Sequence, residues 1–452
     1  MISIAESQMK ALGDIVEPRR EKVSPAKYAD LPFIGMEHIE AHTMRLLGTV
    51  PAGTMKSTAN RFYKGDVLYG RLRPYLNKVY KPNFDGLCSS EFIVLPKTDG
   101  IEPDYLKYRL NSHDFVSFTS HLNTGDRPRV DFDQLSSFEL FLPSYLDQQR
   151  IVAEIEKQFS RLDEAIANLK RVKANLKRYK AAVLKAAVEG RLVETEADLA
   201  RREGRSYETG EQLLKRILEA RRGQWKGKGK YKEPAEPDTT GLPELPEGWV
   251  WATWEQVGFS QNGRAFPSSE YCDKGVRLLR PGNLHESGVL IWTTENTRHM
   301  PATYAKENAE LIVRGRELIM NLTAQSLKDE FLGRICLTSD VEYCLLNQRL
   351  ARLTPVELLP EFALVVFKSK LFRRFVDGLN TGSLIQHMFT SQLATFAFPL
   401  PPLTEQQRIV AEVDRRLSLV RDVEAQADAT FKRAERMRLS ILMKAFSGGI
   451  GG

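Results

Sequence analysis

Two copies of one polar, helix-prone string decide the fold: "DQQRIVAEIEKQ" at residues 147–158 and "EQQRIVAEVDRR" at residues 405–416. Adding 258 to Gln148 gives Gln406 and adding it to Gly190 gives Gly448, and the copies align between these positions without a gap. The similarity begins earlier, because "QLSSFELFLP" (134–143) corresponds to "QLATFAFPLP" (392–401). The chain is therefore a tandem duplication of a variable block followed by a helical block.

Each helical block carries an apolar residue at every seventh position, which predicts a coiled-coil seam. A helix of about 40 residues extends about 60 Å, which is longer than a domain core requires. The seam fits parallel and antiparallel pairing equally; the duplication favours antiparallel pairing, because that gives an internal two-fold axis. The seam residues are Ile155, Leu162, Leu169, Leu176 and Val183 in the first copy, and Val413, Val420, Ala427, Ala434 and Ile441 in the second.

The helix ends carry recognisable capping signals. Ser144-x-x-Asp147 and Thr404-x-x-Gln407 predict capped N-termini, and Gly190 predicts a C-cap. The variable blocks mix strand-like runs such as "FIVLP" (92–96) with helical spacing, so each is expected to be α+β. The predicted fold is α+β, with two globular α/β blocks joined by two long helices that form an antiparallel coiled coil.

The segment boundaries follow from these patterns. A short helix fits residues 209–222, and a charged connector rich in proline and glycine follows it. The predicted segments are the first variable block (1–143), the first long helix (144–190), the short helix and connector (191–246), the second variable block (247–401) and the second long helix (402–448).

Composition limits the functional classes. The 452 residues include 65 basic and 58 acidic side chains, and the resulting net charge of +7 permits a polyanionic partner without requiring one. The chain opens "MISIAESQMK", which resembles no secretion signal, and it has no apolar run of about 18 residues, so a cytoplasmic location is expected. The four cysteines form no C-x-x-C pair, so we expect neither a disulfide framework nor a zinc site.

Signatures of catalysis are missing. The run Gly227, Lys228, Gly229, Lys230 lacks the spacing and closing hydroxyl of a phosphate loop. In "HIEAH" (38–42) the glutamate does not directly follow the first histidine, as a zincin requires. The sequence also has no [DNS]-P-P-[YFW] stretch of the kind that grips a target adenine in amino-methyltransferases. We therefore expect no catalytic residue, metal or cofactor on this chain.

The duplicated "QQRIVAE" ahead of a long helix, together with "GKYKEPAEPDTTGLPELPEGWVWA" (229–252), resembles the DNA-specificity subunit of Type I restriction-modification systems. The resemblance covers essentially the whole chain. It implies that each variable block is a target-recognition domain, that the subunit has no active site, and that the helices are shared among members. It further implies double-stranded DNA, two methyltransferase (modification) subunits and two restriction subunits as partners, with S-adenosylmethionine, ATP and Mg on those partners. Two equivalent helix starts would then offer the two modification subunits equivalent docking places.

Candidate DNA contacts come from two kinds of stretch. In "YGRLRPYLNKVYK" (69–81) arginines and lysines lie among tyrosines, and arginine can donate two hydrogen bonds to guanine or contact phosphate. In "NTGDRPRVD" (123–131) and "NTGSLIQHM" (380–388) a glycine turn carries unlike polar side chains, as two unlike half-sites require. An exposed strand or turn with ordinary charges is the alternative for each. The candidates are Tyr69, Arg71, Arg73, Tyr75, Lys78, Arg127 and Arg129 in the first block, and Arg264, Arg280, Asn283, Asn321, Thr323, Lys328, Ser383, Gln386 and His387 in the second.

Candidate subunit-docking residues are the repeated polar positions at the helix starts: Gln148, Gln149, Arg150, Glu154, Gln406, Gln407, Arg408 and Glu412.

Two other functions stay open. An orphan scaffold that only binds DNA, without a restriction partner, would have the same sequence pattern. A self-sufficient enzyme is disfavoured by the missing motifs.

Overall fold

The computed structural model describes residues 8–122, 125–224, 230–325, 330–379 and 386–446. The chain divides into two compact units, Met1–Val172 with Gln426–Gly452, and Lys173–Ala425. Each unit holds one variable block and parts of both long helices. No helix in the described ranges is long and apolar enough to cross a membrane.

The first block is built from short strands with helices near its end. Its strands are β1 (Gln8–Ala11), β2 (Lys22–Val23), β3 (Pro32–Ile34), β4 (Val50–Pro51), β5 (Ala59–Phe62), β6 (Val67–Gly70), β7 (Val79–Tyr80), β8 (Gly86–Cys88), β9 (Phe92–Leu95) and β10 (Glu139–Leu142), and its helices are α1 (Pro103–Leu110), α2 (His113–His121) and α3 (Phe132–Leu135). The strands form sheets of order β2-β5-β8-β3-β4, β7-β6-β9 and β1-β10.

The run "FIVL" of strand β9 is apolar throughout because the strand lies between two core clusters. Ile93 and Leu95 face one core cluster, together with α1, α2 and the start of the first long helix. Phe92 and Val94 face a second cluster with β3 and β5. Because successive side chains of a strand point to opposite faces, a strand between two cores must be apolar at every position.

The first long helix, α4 (Tyr145–Val188), leads into α5 (Glu196–Glu203) and α6 (Gly210–Gln224). The second block and second long helix follow. Their strands are β11 (Val250–Thr253), β12 (Gly258–Asn262), β13 (Val276–Leu279), β14 (His299–Met300), β15 (Ile312–Val313), β16 (Leu318–Asn321), β17 (Thr323–Ala324), β18 (Ile335–Leu337), β19 (Cys344–Leu346), β20 (Leu350–Pro355), β21 (Gln386–His387) and β22 (Ala397–Leu400), and their helices are α7 (Trp254–Val257), α8 (Thr303–Glu307), α9 (Pro360–Phe367), α10 (Lys370–Gly378), α11 (Thr390–Ala394) and α12 (Leu403–Phe446).

The second block repeats the plan of the first. Sheets of order β12-β20-β16-β18 and β14-β13-β19-β15 lie in this unit, and β11 pairs with β22 as β1 pairs with β10. Strand β16 again lies between two cores, with Leu318 and Met320 in one cluster and Ile319 in another. The helices α9, α10, α11 and α12 follow in the same order as α1, α2, α3 and α4. The duplication predicted from the helical strings therefore extends through both blocks.

The long helices confirm most of the predicted caps. Ser144 caps α4, because its Oγ accepts from the Asp147 N–H at 3.2 Å, and Gly190 follows the helix with φ +65° while the Arg191 N–H donates to the Ala186 carbonyl. The cap predicted at Thr404 is wrong. Helix α12 already begins at Leu403, and the Gln406 N–H donates to the carbonyl of Pro402, which occupies the position of Ser144.

Eight of the ten seam residues are buried, Leu169 and Leu176 are half-buried, and the direction of the pair is antiparallel, as the duplication predicts. In the first unit the beginning of α4 packs with the end of α12: Ile155 and Leu162 share a core cluster with Ala434 and Ile441. In the second unit Val183 and Leu184, near the end of α4, share a core cluster with Ile409 and Val413, near the beginning of α12. The Lys180 Nζ lies 2.6 Å from a carboxylate oxygen of Glu424, in the middle of α12. The predicted fold class is confirmed.

Candidate nucleic-acid interface

In the first block, two candidate stretches far apart in sequence lie side by side. Leu72, just beyond β6, forms an antiparallel bridge with Arg129. The Arg73 N–H donates to the Pro128 carbonyl at 2.8 Å, and the Val130 N–H donates to the Arg71 carbonyl at 3.0 Å. The arginine-tyrosine stretch and the glycine-turn loop are therefore one surface, which we call the first ribbon (residues 71–73 and 128–130).

Arg129 is held in place by a carboxylate that sequence analysis did not single out. Its Nη2 lies 2.8 Å and its Nε 3.2 Å from the two carboxylate oxygens of Glu91. About half of the Arg129 side chain remains exposed. Glu91 follows β8 in a turn, so only the folded sheet brings it to the ribbon.

The other candidates of this block separate into exposed and structural side chains. Arg73, Tyr75 and Arg127 are exposed, and Arg73 has the left-handed backbone φ of +53°. Tyr69 is 1% exposed in the core, where burial raises the pKa of its hydroxyl to about 12, so it does not reach the surface. Lys78 donates to the Met36 carbonyl at 2.6 Å, and its pKa is lowered by partial burial. Tyr69 and Lys78 therefore serve the block itself.

A cleft of about 780 Å³ opens beside the first ribbon. Arg71, Arg129 and Glu91 line it, and Arg20 and Lys22 add two exposed cations that sequence analysis missed. Arg19 also lines it, but its guanidinium pairs with the buried carboxylate of Asp66 at 3.1 Å. Arg20 and Lys22 precede and begin a two-residue strand, and nothing in their local sequence distinguishes them from ordinary surface charges.

The second block forms an equivalent ribbon. Thr323 in β17 pairs with His387 in β21, and the Thr323 Oγ1 lies 3.2 Å from the His387 Nδ1. Gln386 precedes His387 in β21, and the ring of Phe389 packs edge-on against that of His387 with the ring centroids 4.6 Å apart. We call residues 323–324 and 386–387 the second ribbon. The same strand-and-loop pairing thus presents arginines in one block and a threonine, a glutamine and a histidine in the other.

Several second-block candidates lie elsewhere. Asn321 and Asn283 are buried and hydrogen-bond to the backbone: the Asn321 amide donates to the Thr323 and Phe331 carbonyls, and the Asn283 Oδ1 accepts from the Arg280 N–H. Arg280 is half-buried, and exposed Arg264 donates to the Asn308 side chain at 3.1 Å. Lys328 and Ser383 lie outside the described residues.

The first glutamine of each repeated string turns inward. Gln148 is fully buried; its amide donates to the Gly100 and Pro143 carbonyls, and its Oε1 accepts from the Glu102 N–H at 2.8 Å. Gln406 makes the equivalent contacts with the Pro401 carbonyl and the Leu359 N–H. These two residues anchor each long helix to its own block, which explains their repetition and removes them from the docking surface.

The remaining docking candidates differ between the two helix starts. Gln149 and Gln407 are both exposed. Arg150 is 70% exposed, and its guanidinium lies 3.1 Å from a carboxylate oxygen of Asp147, three residues earlier on the same helix. Arg408, its equivalent, lies 2.5 Å from the buried carboxylate of Glu196 in α5.

The connector thus packs against part of the second helix start. Glu405 accepts hydrogen bonds from the Glu196 N–H and the Trp249 Nε1, both at 2.9 Å, and burial raises the pKa of its carboxyl group. The further candidates Glu154 and Glu412 bond to neighbours on their own helices. Hydrogen bonds from Arg415 and Arg416 lower the pKa of Glu412 to about 2.

No group of three or more potential metal ligands occurs within the described parts of the chain. His38 of the "HIEAH" stretch accepts from the Gly35 N–H through Nδ1 at 2.9 Å, as a turn residue does.

Comparison with known proteins gives consistent matches. The family model described as "Type I restriction modification DNA specificity domain" matches twice, at residues 5–178 and 246–418. The specificity subunit of the Type I restriction enzyme EcoAI from Escherichia coli is 29% identical over 282 residues, which are 61% of this chain and 45% of that subunit. The specificity subunit of the MjaVIII enzyme from Methanocaldococcus jannaschii is 22% identical over 362 residues, covering 79% of this chain and 73% of that protein.

The match therefore spans less than half the length of the EcoAI subunit. Among solved structures, a chain from work on complex assembly and conformational transition of the type I R-M system superposes with a TM-score of 0.67. Its sequence identity is 19%, and the superposition covers 100% of both chains. At this identity the likeness is one of fold.

Proposed function

We propose that this chain, which belongs to the Type I restriction modification DNA specificity domain family, recognises a bipartite, asymmetric DNA target, with one half-site read by each block. The observation that carries the proposal is the pair of equivalent ribbons. Their backbones pair at equivalent places, while the side chains on them differ in charge and hydrogen-bonding capacity. Two surfaces with the same backbone pairing but different side chains suit two half-sites of different sequence.

The charge of the first ribbon supports DNA as the ligand. Arg71, Arg73, Arg127 and Arg129 lie on or next to it, and Arg20 and Lys22 extend the positive charge along the cleft. Arginine can contact phosphate oxygens or donate two hydrogen bonds to guanine. In the second ribbon, Gln386 and His387 offer hydrogen-bonding groups suited to base edges.

The two long helices are proposed to fix the distance between the half-sites. Two blocks joined by a paired, rigid element meet one face of B-DNA when the half-site centres lie about one helical turn, roughly 34 to 36 Å, apart. The bases between the half-sites are then spanned without being read.

The proposed assembly contains two modification (methyltransferase) subunits and two restriction subunits. This chain contributes recognition and scaffolding and no catalytic group; S-adenosylmethionine, ATP and Mg belong to the partners. Gln149 and Arg150 at the first helix start, and Gln407 at the second, are the exposed docking candidates. Because Arg408 pairs with Glu196 of α5 whereas Arg150 is exposed, the modification subunits meet unlike surfaces at the two starts.

The test is methylation with defined components. The chain, its modification subunits and S-adenosylmethionine together should produce N6-methyladenine at a two-part target, and leaving out either protein should abolish it. Methyl transfer by the purified chain alone would contradict the assignment, as would a complex whose methylation follows no two-part target.

A further inference from the structure

A two-residue turn in each block lies next to its ribbon and was not among the candidates. In the first block the turn Ser90–Glu91 ends the three-residue connection between β8 and β9, and in the second block the turn Gln348–Arg349 ends the three-residue connection between β19 and β20. Adding 258 to the bounds of β8 gives the bounds of β19, and adding 258 to Phe92, which begins β9, gives Leu350, which begins β20. Arg349 therefore occupies the position of Glu91.

The backbone hydrogen bonds confirm that the two turns are equivalent. The Glu91 N–H donates to the Ser89 Oγ at 3.2 Å, and the Arg349 N–H donates to the Asn347 Oδ1 at 3.4 Å. On the other side, the Glu91 carbonyl accepts from the Arg71 N–H at 2.8 Å, and the Arg349 carbonyl accepts from the Leu322 N–H at 2.9 Å.

These contacts bring each turn to the edge of its ribbon. Arg71 precedes Leu72, which bridges to Arg129, and Glu91 contacts Arg129 directly. Leu322 precedes Thr323, which pairs with His387. Arg349 thus lies beside the second ribbon as Glu91 lies beside the first.

The side chains at the two positions have opposite charge and unlike surroundings. Glu91 is partly buried and engaged with Arg129. Gln348 and Arg349 are exposed, and within the described residues the Arg349 guanidinium has no hydrogen bond or ion pair. An exposed arginine and glutamine on a turn held by these hydrogen bonds offer the donors that base edges accept: arginine donates to guanine O6 and N7, and glutamine pairs with adenine.

We propose that Gln348 and Arg349 form a specificity-determining turn of the second block, with Arg349 donating to a guanine in the second half-site. This inference rests on the proposed function and names a recognition element within it. The equivalent position in the first block carries a carboxylate, so the two half-sites differ at the base that this turn meets.

The experiment uses the chain in complex with its modification subunits and sequences the N6-methyladenine sites left on DNA by each variant. For Arg349→Ala we expect one position of the second half-site to become tolerant of other bases, with discrimination there reduced roughly 5- to 150-fold. The first half-site and the gap should stay unchanged. Arg349→Lys should relax the same position, because lysine keeps the charge but lacks the two-pronged donor geometry.

Arg314→Ala is the matched control. Arg314 is also exposed, but it lies before the first residue of β16. Arg349 lies near the last residue of that strand, Asn321, because Asn321 pairs with Leu350, which follows Arg349. Its substitution should leave the target unchanged. The inference is overturned if Arg349→Ala keeps the wild-type target, lowers methylation equally at all sites, or if Arg349→Lys retains full specificity. A wild-type complex without a two-part target would overturn the proposed function as well, which separates the two failures.

Discussion

Gln148 holds the start of α4 against the first block with three hydrogen bonds, all to backbone groups. The side chain is fully buried, and its bond to the Pro143 carbonyl is buried as well, so removing the amide leaves that carbonyl without its partner. A buried backbone group left without its partner costs roughly 1 to 3 kcal/mol. The Gln148 amide thus fixes the start of α4 to the first block.

We predict that Gln148→Ala lowers the free energy of unfolding by roughly 1 to 3 kcal/mol or more. The measurement is the midpoint of urea denaturation, which should fall. The neighbouring Gln149 is exposed, so Gln149→Ala should change stability by no more than about 0.5 kcal/mol. The pair Gln406→Ala and Gln407→Ala should behave in the same way. Equal midpoints for the buried and exposed substitutions would refute the anchor.

At Arg127 we predict an effect on DNA rather than on folding. Its side chain is exposed beside the first ribbon, so Arg127→Ala should fold normally, and if Arg127 contacts a base, only the first half-site should change. A lost base contact would cost roughly 1 to 3 kcal/mol at one position, whereas a lost phosphate contact would weaken all sites alike. Methylation-site sequencing of the complex measures this. A change confined to the second half-site would contradict the placement of Arg127.

The candidates show what sequence reveals at the scale of one residue. Residue type suggested contacts for Tyr69 and Asn321, but type does not report burial, and both lie in the core. The repetition of Gln148 was informative, yet repetition does not distinguish a docking residue from an anchor. Glu91 and Arg349 escaped because their proximity to the ribbons depends on strand pairing between distant segments.

At the scale of elements, the connector distinguishes the two helix starts. Glu196 at the beginning of α5 is 2% exposed and pairs with Arg408 and Arg205. Although burial raises the pKa of the Glu196 carboxyl group, the hydrogen bonds from the two arginines outweigh it and hold the pKa below its usual value. Its ionised form therefore stabilises the folded chain.

We predict that Arg408→Ala destabilises the chain by roughly 1.5 to 3 kcal/mol at neutral pH, the range for a hydrogen bond to a charged group. Arg150→Ala, at the equivalent exposed position, should cost about 0 to 1 kcal/mol. The ionised Glu196 carboxylate contributes its full stabilisation above the pKa of the unfolded state, near 4.5. This stabilisation is lost as the pH falls through the lower pKa of the folded state. The difference between wild type and Arg408→Ala in urea denaturation should therefore shrink below about pH 4.5. A difference that grows on acidification would contradict it.

Elements with local signals were predictable and the others were not. The seven-residue repeat identified both long helices, because the apolar positions of such a helix recur within one continuous stretch of sequence. Helix α5, with Thr195 as its N-cap and Gly204 as its C-cap, lay unrecognised inside the connector. Many strands of the blocks are only two to four residues long, and their pairing is set by tertiary contacts that no local pattern reports.

At the scale of the whole molecule, the duplication gives two variable blocks and one antiparallel helix pair. The antiparallel direction means that a change in length must be made in both helices if their seam is to stay in register. Seven residues inserted near Lys173 in α4 and seven near Ala425 in α12 preserve the heptad pattern. They lengthen the pair by about 10 Å at 1.5 Å per residue, or about three base pairs.

The most direct test of the account is to sequence the N6-methyladenine sites made by the wild-type complex and by this paired-heptad variant. We predict that both methylate a two-part, asymmetric target with the same half-site bases, and that the unread gap grows by about three base pairs in the variant. A continuous or palindromic wild-type target, or an active variant whose gap is unchanged, would contradict it.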